Sequence, residues 1–108
     1  MKKVYEFTKF SRQKTAAEKG LRASINAVIS DMKRGHFSNE KNVTNGTNVL
    51  RSAGVQDATI RSNPAVREVR VTQSVRIFFF EANNAIGESI INLVCMGHMD
   101  GSQVSFDP

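Results

Sequence analysis

The chain has 108 residues, of which 40% are hydrophobic and 23% are charged. This composition is typical of globular proteins, and the length suits one domain, residues 1–108, with a single core. Fifteen lysines and arginines against ten acidic residues give a net charge of +5, which indicates either an acidic partner or a solvated basic surface. Cys95 is the only cysteine, so an internal disulfide is excluded and a cytoplasmic location is expected.

The N-terminal residues predict a strand and no membrane segment. Residues 1–3 are Met-Lys-Lys, and no long apolar stretch follows them. A signal peptide or a membrane helix needs such a stretch, so neither is expected, and no membrane partner is expected either. Apolar and polar residues alternate over residues 3–8, which predicts a short first strand.

A helix is predicted over residues 15–35. Thr15 and Glu18 have the spacing of a capping box, which places the helix start at Thr15. Apolar side chains then recur every three or four residues and form one stripe. Gly35 ends the helix, because glycine readily adopts the left-handed conformation of a cap. A short helical turn is expected before it, over residues 10–14.

Residues 36–64 are predicted to be mostly loop. They are rich in Asn, Ser, Thr and Gly and show no sustained period. A connection of this length is unusual inside a compact domain and is often functional. Arg51 and Arg61 lie within it, and each either contacts phosphate on a polyanionic partner or serves solubility.

Three strands are predicted after Pro64, over residues 66–71, 75–81 and 89–96. Residues 72–74 are few enough to join the first two strands as a hairpin. The third strand is almost continuously apolar, as in the centre of a sheet. The predicted fold class is α+β, with an N-terminal strand and helices packed on a mainly antiparallel sheet of about four strands.

Arginines interrupt the predicted strands. Arg67, Arg70 and Arg76 lie in runs of Val, Ile and Phe, where a guanidinium must reach solvent, a carboxylate or a phosphate. A guanidinium fixed on a strand is well suited to bind phosphate and to stabilise charge on a phosphoryl oxygen. The alternative for Arg76 is a cross-strand pair with Glu68.

His98 follows the last predicted strand, where the end of a sheet opens to solvent. An imidazole transfers protons near neutral pH, as cleavage of RNA by its own 2′-hydroxyl requires; the alternative is a surface or structural histidine. The sequence has no zinc-ligand spacing, glycine-rich phosphate loop, nucleophile elbow or dinucleotide fingerprint. No metal and no cofactor is therefore expected.

The order of elements and the motifs within them resemble the RelE/ParE superfamily of bacterial toxins, small basic proteins of toxin–antitoxin systems. Residues 67–70, Arg-Glu-Val-Arg, and residues 75–79, Val-Arg-Ile-Phe-Phe, are similar to two strand motifs of that family. Residues 94–98, Val-Cys-Met-Gly-His, resemble the strand that finishes beside the active site in ribonuclease members, especially the YoeB type. The resemblance covers residues 3–35 and 65–98.

This resemblance implies an mRNA endoribonuclease that cleaves messenger RNA, commonly at the ribosome. Cleavage would proceed without metal, by attack of the 2′-hydroxyl on the adjacent phosphate. It implies that Arg76 stabilises the phosphate and that His98 is the general acid. Arg67 and Arg70 would hold the RNA backbone, and Glu68 would orient an arginine.

The resemblance also implies a protein partner and leaves a second function open. A cognate antitoxin is expected to cover the basic face with an acidic, amphipathic segment. ParE-type relatives share the scaffold and act by binding DNA gyrase, without cleaving RNA. The alternatives are therefore a non-enzymatic toxin of that type, or a basic nucleic-acid-binding protein that kept the scaffold without activity.

Overall fold

The computed structural model describes residues 1–100 and 103–105. Within these residues, a strand and two helices are followed by a short strand, two short helices and four further strands. The elements in chain order are β1 (Lys3–Glu6), α1 (Thr8–Ala16), α2 (Lys19–Lys33), β2 (Lys41–Asn42), α3 (Gly46–Ser52), α4 (Asp57–Arg61), β3 (Arg67–Arg70), β4 (Val75–Asn83), β5 (Ser89–Asp100) and β6 (Gln103–Ser105). No helix in this described part is long and apolar enough to cross a membrane.

The strands form one mixed sheet in the order β1-β5-β4-β3-β2, and β6 pairs with the end of β5. β1 lies parallel to β5, whereas the other strand pairs are antiparallel. The prediction of an α+β fold is confirmed. The sheet differs from the expected four strands because the short strands β2 and β6 extend it.

The helix predicted to start at Thr15 is two helices. Thr15 lies in the last turn of α1, and the backbone of Ala17 and Glu18 is extended, with ψ of 147° and 160°. Glu18 is the N-cap of α2 and makes no side-chain cap hydrogen bond. The capping-box prediction is therefore wrong, because the turn at these two residues lets α1 and α2 pack on the sheet separately. The predicted end is confirmed, since Gly35 has φ of +86°.

The predicted loop over residues 36–64 contains β2, α3 and α4. The two helices have seven and five residues, which is too short for a helical period to stand out in the sequence. Val49 and Leu50 are the buried residues of α3 and pack on the sheet. This segment is therefore a structural layer that covers one side of the sheet.

Both faces of the sheet are covered by helices. On the α1/α2 face, the two long helices pack on a core that includes Val69, Ile77 and Phe79. On the opposite, α3 face, the shorter helix packs on Phe78 and Phe80. Successive residues of a strand point to opposite faces, so each side chain of the sheet belongs to one of these two environments.

Candidate functional site

The strand register places two of the predicted site residues on the α1/α2 face. Directly opposed residues of paired strands project to the same face. Arg67 is opposite Phe79, and His98 is opposite Val75. Phe79 and Val75 both belong to the core beneath α1 and α2. Arg67 and His98 therefore share this face, but His98 is opposite the first residue of β4 and Arg67 is opposite its middle residue.

The other strand residues of the predicted site lie on the α3 face. Glu68 is opposite Phe78, which belongs to the core beneath α3, and Arg70 is opposite Arg76. Arg76 and His98 are consequently on opposite faces of the sheet. The expectation that these two side chains converge on one phosphate is therefore wrong.

A β-bulge explains this separation. Phe78 pairs with Cys95 but Phe79 pairs with Leu93, so Val94 is an extra residue in β5. A one-residue shift in register moves every following side chain to the other face. Without the bulge, Arg76 would lie opposite an even-numbered residue of β5, on the same face as His98.

The Arg76 side chain folds back over the turn between β3 and β4. The residue is 8% exposed, and its Nη1 donates hydrogen bonds to the carbonyl oxygens of Thr72, Gln73 and Val75 at 2.8, 3.2 and 3.1 Å. Among the described residues, no buried side-chain nitrogen lacks a hydrogen-bond partner. Nε and Nη2 make none of these three bonds and are not fully enclosed. One nitrogen therefore anchors the guanidinium, and the residue as a whole is buried.

Arg70, Arg76 and Gly97 form a row across three strands, which we call the arginine row. Arg76 is opposite Arg70 on one side and Gly97 on the other. Arg70 is exposed, whereas Arg76 and Gly97 are buried. Like charges directly opposite each other in a sheet repel, whereas a phosphate between them would be bound by both. The predicted pair between Arg76 and Glu68 is not formed, because Arg76 donates to backbone carbonyls instead.

Arg67 belongs to an internal ion-pair cluster. Its guanidinium donates to the carboxylates of Glu40 and Glu81 and lies over the rings of Phe37 and Phe79, 5.4 and 4.7 Å from their centroids. Burial lowers the pKa of Arg67, but its hydrogen bonds to the two glutamates raise that pKa by more, so the net shift is upward. The structure thus engages Arg67 inside the protein, where the resemblance implied RNA binding.

Glu81 is the centre of this cluster and was not found by sequence reasoning. It accepts hydrogen bonds from Lys2 at 2.7 Å, from Ser89 at 2.8 Å and from Arg67 at 2.6 Å. Burial raises the pKa of Glu81, but these hydrogen bonds lower it by more, so the carboxylate form is favoured. Lys2 and Glu81 are 79 residues apart in the sequence, so no local pattern signals their contact.

His98 lines a small cavity of about 260 Å³ on the α1/α2 face, with Gln13, Leu21, Val75 and Met96 among its neighbours. Gln13 satisfies the backbone of Met96: its Nε2 donates to the carbonyl oxygen at 3.0 Å, and the Met96 N–H donates to its Oε1 at 2.7 Å. This bond pair lies between the stretches of β5 that pair with β1 and with β6. Most of the cavity lining is apolar, which suits a structural role more than phosphate chemistry.

The two remaining candidates are exposed and lie in the short helices. Arg51 is in the last turn of α3 and Arg61 in the last turn of α4. α4 lies over Phe80 and Ala82, toward the other end of β4 from the arginine row. The structure therefore separates Arg61 from Arg76.

Two further observations concern nucleophilic and metal chemistry. Cys95 is buried, and burial raises its pKa to about 11, so its thiol is not activated as a nucleophile. Among the residues that the structure describes, no three His, Cys, Asp or Glu side chains are grouped so as to hold a metal ion.

Comparison with protein-family models, curated proteins and solved structures finds no match to this chain. A proposal of function therefore rests on the geometry of the residues above and on the resemblance of the strand motifs.

Proposed function

We propose that this chain is a RelE/ParE-type toxin that acts by binding RNA at the arginine row. The observation that carries the proposal is the pairing of the exposed Arg70 with Arg76, in which Arg76 is anchored through Nη1 and its Nε and Nη2 make no bond to the turn. The resemblance of the strand motifs supports the toxin family and RNA as the polyanion.

The arginine row has the features of a phosphate site. The anchored guanidinium of Arg76 loses little conformational freedom on binding, and its planar donors match phosphate oxygens. Arg70 lies directly across the strand pair and projects to the same face as Arg76, where a bound phosphate would contact both. A bound phosphate relieves the repulsion between the two guanidinium groups, and the net charge of +5 favours the encounter.

The same geometry argues against cleavage through Arg76 and His98. General acid catalysis requires a proton donor within hydrogen-bond reach of the reacting oxygen. A phosphate at the arginine row lies on the α3 face, whereas His98 lies on the α1/α2 face. Binding without this catalytic pair is therefore the proposed activity, and an antitoxin with an acidic segment is the proposed partner for the α3 face.

An RNA-binding assay tests the proposal. Arg70→Gln should weaken binding of a labelled single-stranded RNA about tenfold and reduce the magnitude of the salt slope by about 0.7, because one phosphate contact is lost. The matched control is Arg22→Gln, which removes an exposed arginine of α2; it should bind like the wild type. Fluorescence anisotropy at several salt concentrations measures both quantities.

His98→Gln decides between binding and cleavage. Its affinity for RNA should equal that of the wild type, because the residue is on the other face. The proposal is wrong if Arg70→Gln binds RNA as tightly as Arg22→Gln does. It is also wrong if the wild type cleaves RNA and His98→Gln does not.

A further inference from the structure

A larger cleft lies on the α3 face, away from the arginine row. Its volume is about 640 Å³, within the range of small-molecule sites. Its floor is formed by β1, β5 and β4, and its roof by α4 and the turn that precedes it. The lining includes Tyr5, Asn92 and Phe80 on the floor and Gln56, Thr59 and Ser62 in the roof.

The floor of the cleft is a row of an aromatic ring, an amide and a second aromatic ring. Tyr5 is opposite Asn92 in the parallel pair, and Asn92 is opposite Phe80 in the antiparallel pair. Phe7 contacts both rings in T-shaped arrangements, with centroid distances of 5.3 Å to Tyr5 and 6.0 Å to Phe80. Tyr5 is nevertheless 56% exposed. Phe7 therefore supports the Tyr5 ring on one side, and the exposed part of that ring is accessible to a planar ligand.

The Asn92 amide has a fixed orientation. Its Nδ2 donates to the carbonyl oxygens of Phe80 and Ile90 at 3.4 and 3.1 Å. These two acceptors use both amide hydrogens, so Oδ1 is the atom left to accept a hydrogen bond. No buried side-chain oxygen of the described residues lacks a partner, so Oδ1 is not fully enclosed, and Asn92 lines this cleft.

We propose that this cleft binds a nucleobase that carries an exocyclic amino group. The base stacks on the ring of Tyr5, and its amino group donates to Asn92 Oδ1. Aromatic side chains stack with any base, whereas an acceptor at a fixed position favours a base with a donor. The ligand is either a free nucleoside or a base of RNA. The inference rests on the cleft alone and does not depend on phosphate binding at the arginine row.

The fluorescence of Tyr5 can report ligand binding, because the chain has one tyrosine and no tryptophan. Tyrosine fluorescence should be quenched when adenosine or an oligoadenylate is added. Purine riboside, which lacks the amino group, should bind more weakly than adenosine. In Asn92→Leu this preference should disappear, while the fluorophore is retained.

Equilibrium dialysis with adenosine and oligoadenylate measures the contribution of the ring. Tyr5→Leu should bind about tenfold more weakly than the wild type, whereas Tyr5→Phe keeps the ring and should retain binding. Ile86→Ala is the control, since Ile86 is 80% exposed in the turn between β4 and β5. Binding of adenosine alone would identify a nucleoside site, and binding of oligoadenylate alone would identify an RNA base site.

Two results would overturn the inference: neither ligand binds, or Tyr5→Leu binds as tightly as Tyr5→Phe. Failure of RNA binding at the arginine row would leave this inference intact, because the two sites are separate. Arg70→Gln should therefore leave adenosine binding unchanged, since adenosine has no phosphate and Arg70 is at the other end of the face.

Discussion

Replacing Arg67 with alanine should lower the free energy of unfolding by about 2 kcal/mol, because it removes the cation from a partly buried ion-pair cluster and from two aromatic rings. The side chains of Arg67 and Glu81 are only 22% and 21% exposed. The substitution leaves Glu40 without this partner and removes the guanidinium from the rings of Phe37 and Phe79. Urea denaturation measures the loss.

Arg70→Ala is the matched control for this prediction. Arg70 is on the same strand but is exposed on the other face, so its substitution should change stability by no more than about 0.5 kcal/mol. Substitution of Arg67 is therefore expected to affect stability, whereas substitution of Arg70 is expected to affect RNA binding. If Arg67→Ala kept its stability and lost RNA binding, the role in RNA binding implied by the resemblance would be right and the ion-pair account wrong.

The same cluster predicts how stability depends on pH. The pKa of Glu81 is lower in the folded protein than its ordinary value of 4.5. Its contribution to stability is therefore fully present above about pH 4.5 and is lost as the pH falls through the lower, folded pKa. In Arg67→Ala this contribution is smaller, so stability should depend less on pH in that range.

Replacing Gln13 with alanine should lower the free energy of unfolding by about 2 kcal/mol, because the buried backbone N–H and carbonyl of Met96 lose a partner. Met96 is 6% exposed, and its N–H and carbonyl both bond to the Gln13 carboxamide. The carboxamide replaces the strand partner that β5 lacks at this position. Thermal or urea unfolding measures the change.

Arg12→Ala provides the control for Gln13→Ala. Arg12 is the preceding residue of α1 and is exposed, so its loss should have a small effect. Equal stability of the two variants would show that the Gln13 carboxamide does not hold β5.

The later strands could be predicted from the sequence because their signals are local. The predicted segments 66–71, 75–81 and 89–96 each contain or overlap the observed strands β3, β4 and β5. The start of the main helix could not be predicted from Thr15 and Glu18, because packing of α1 and α2 on the sheet decides where the chain bends. The helices α3 and α4 were missed because they are short and polar.

The candidate site was harder to predict, because it depends on register. Alternation along a strand places Arg76 and Val75 on opposite faces, but it says nothing about which residue of β5 lies opposite each of them. That pairing is set by the bulge at Val94, and an apolar residue in an apolar strand gives no signal of a bulge. The internal partners of Arg67 were equally hidden, since Glu40 and Glu81 are distant in sequence.

The central claim is that RNA phosphate binds the arginine row and not the His98 side of the sheet. Its most direct test is a titration of ¹⁵N-labelled protein with a short single-stranded RNA, followed through the arginine Nε–Hε resonances and the backbone amides. The account predicts that the Arg70 and Arg76 side-chain signals shift, while those of Arg67 and the amides of Gln13 and Leu21 do not. Shifts confined to Gln13, Leu21 and His98, with Arg70 and Arg76 unchanged, would contradict it.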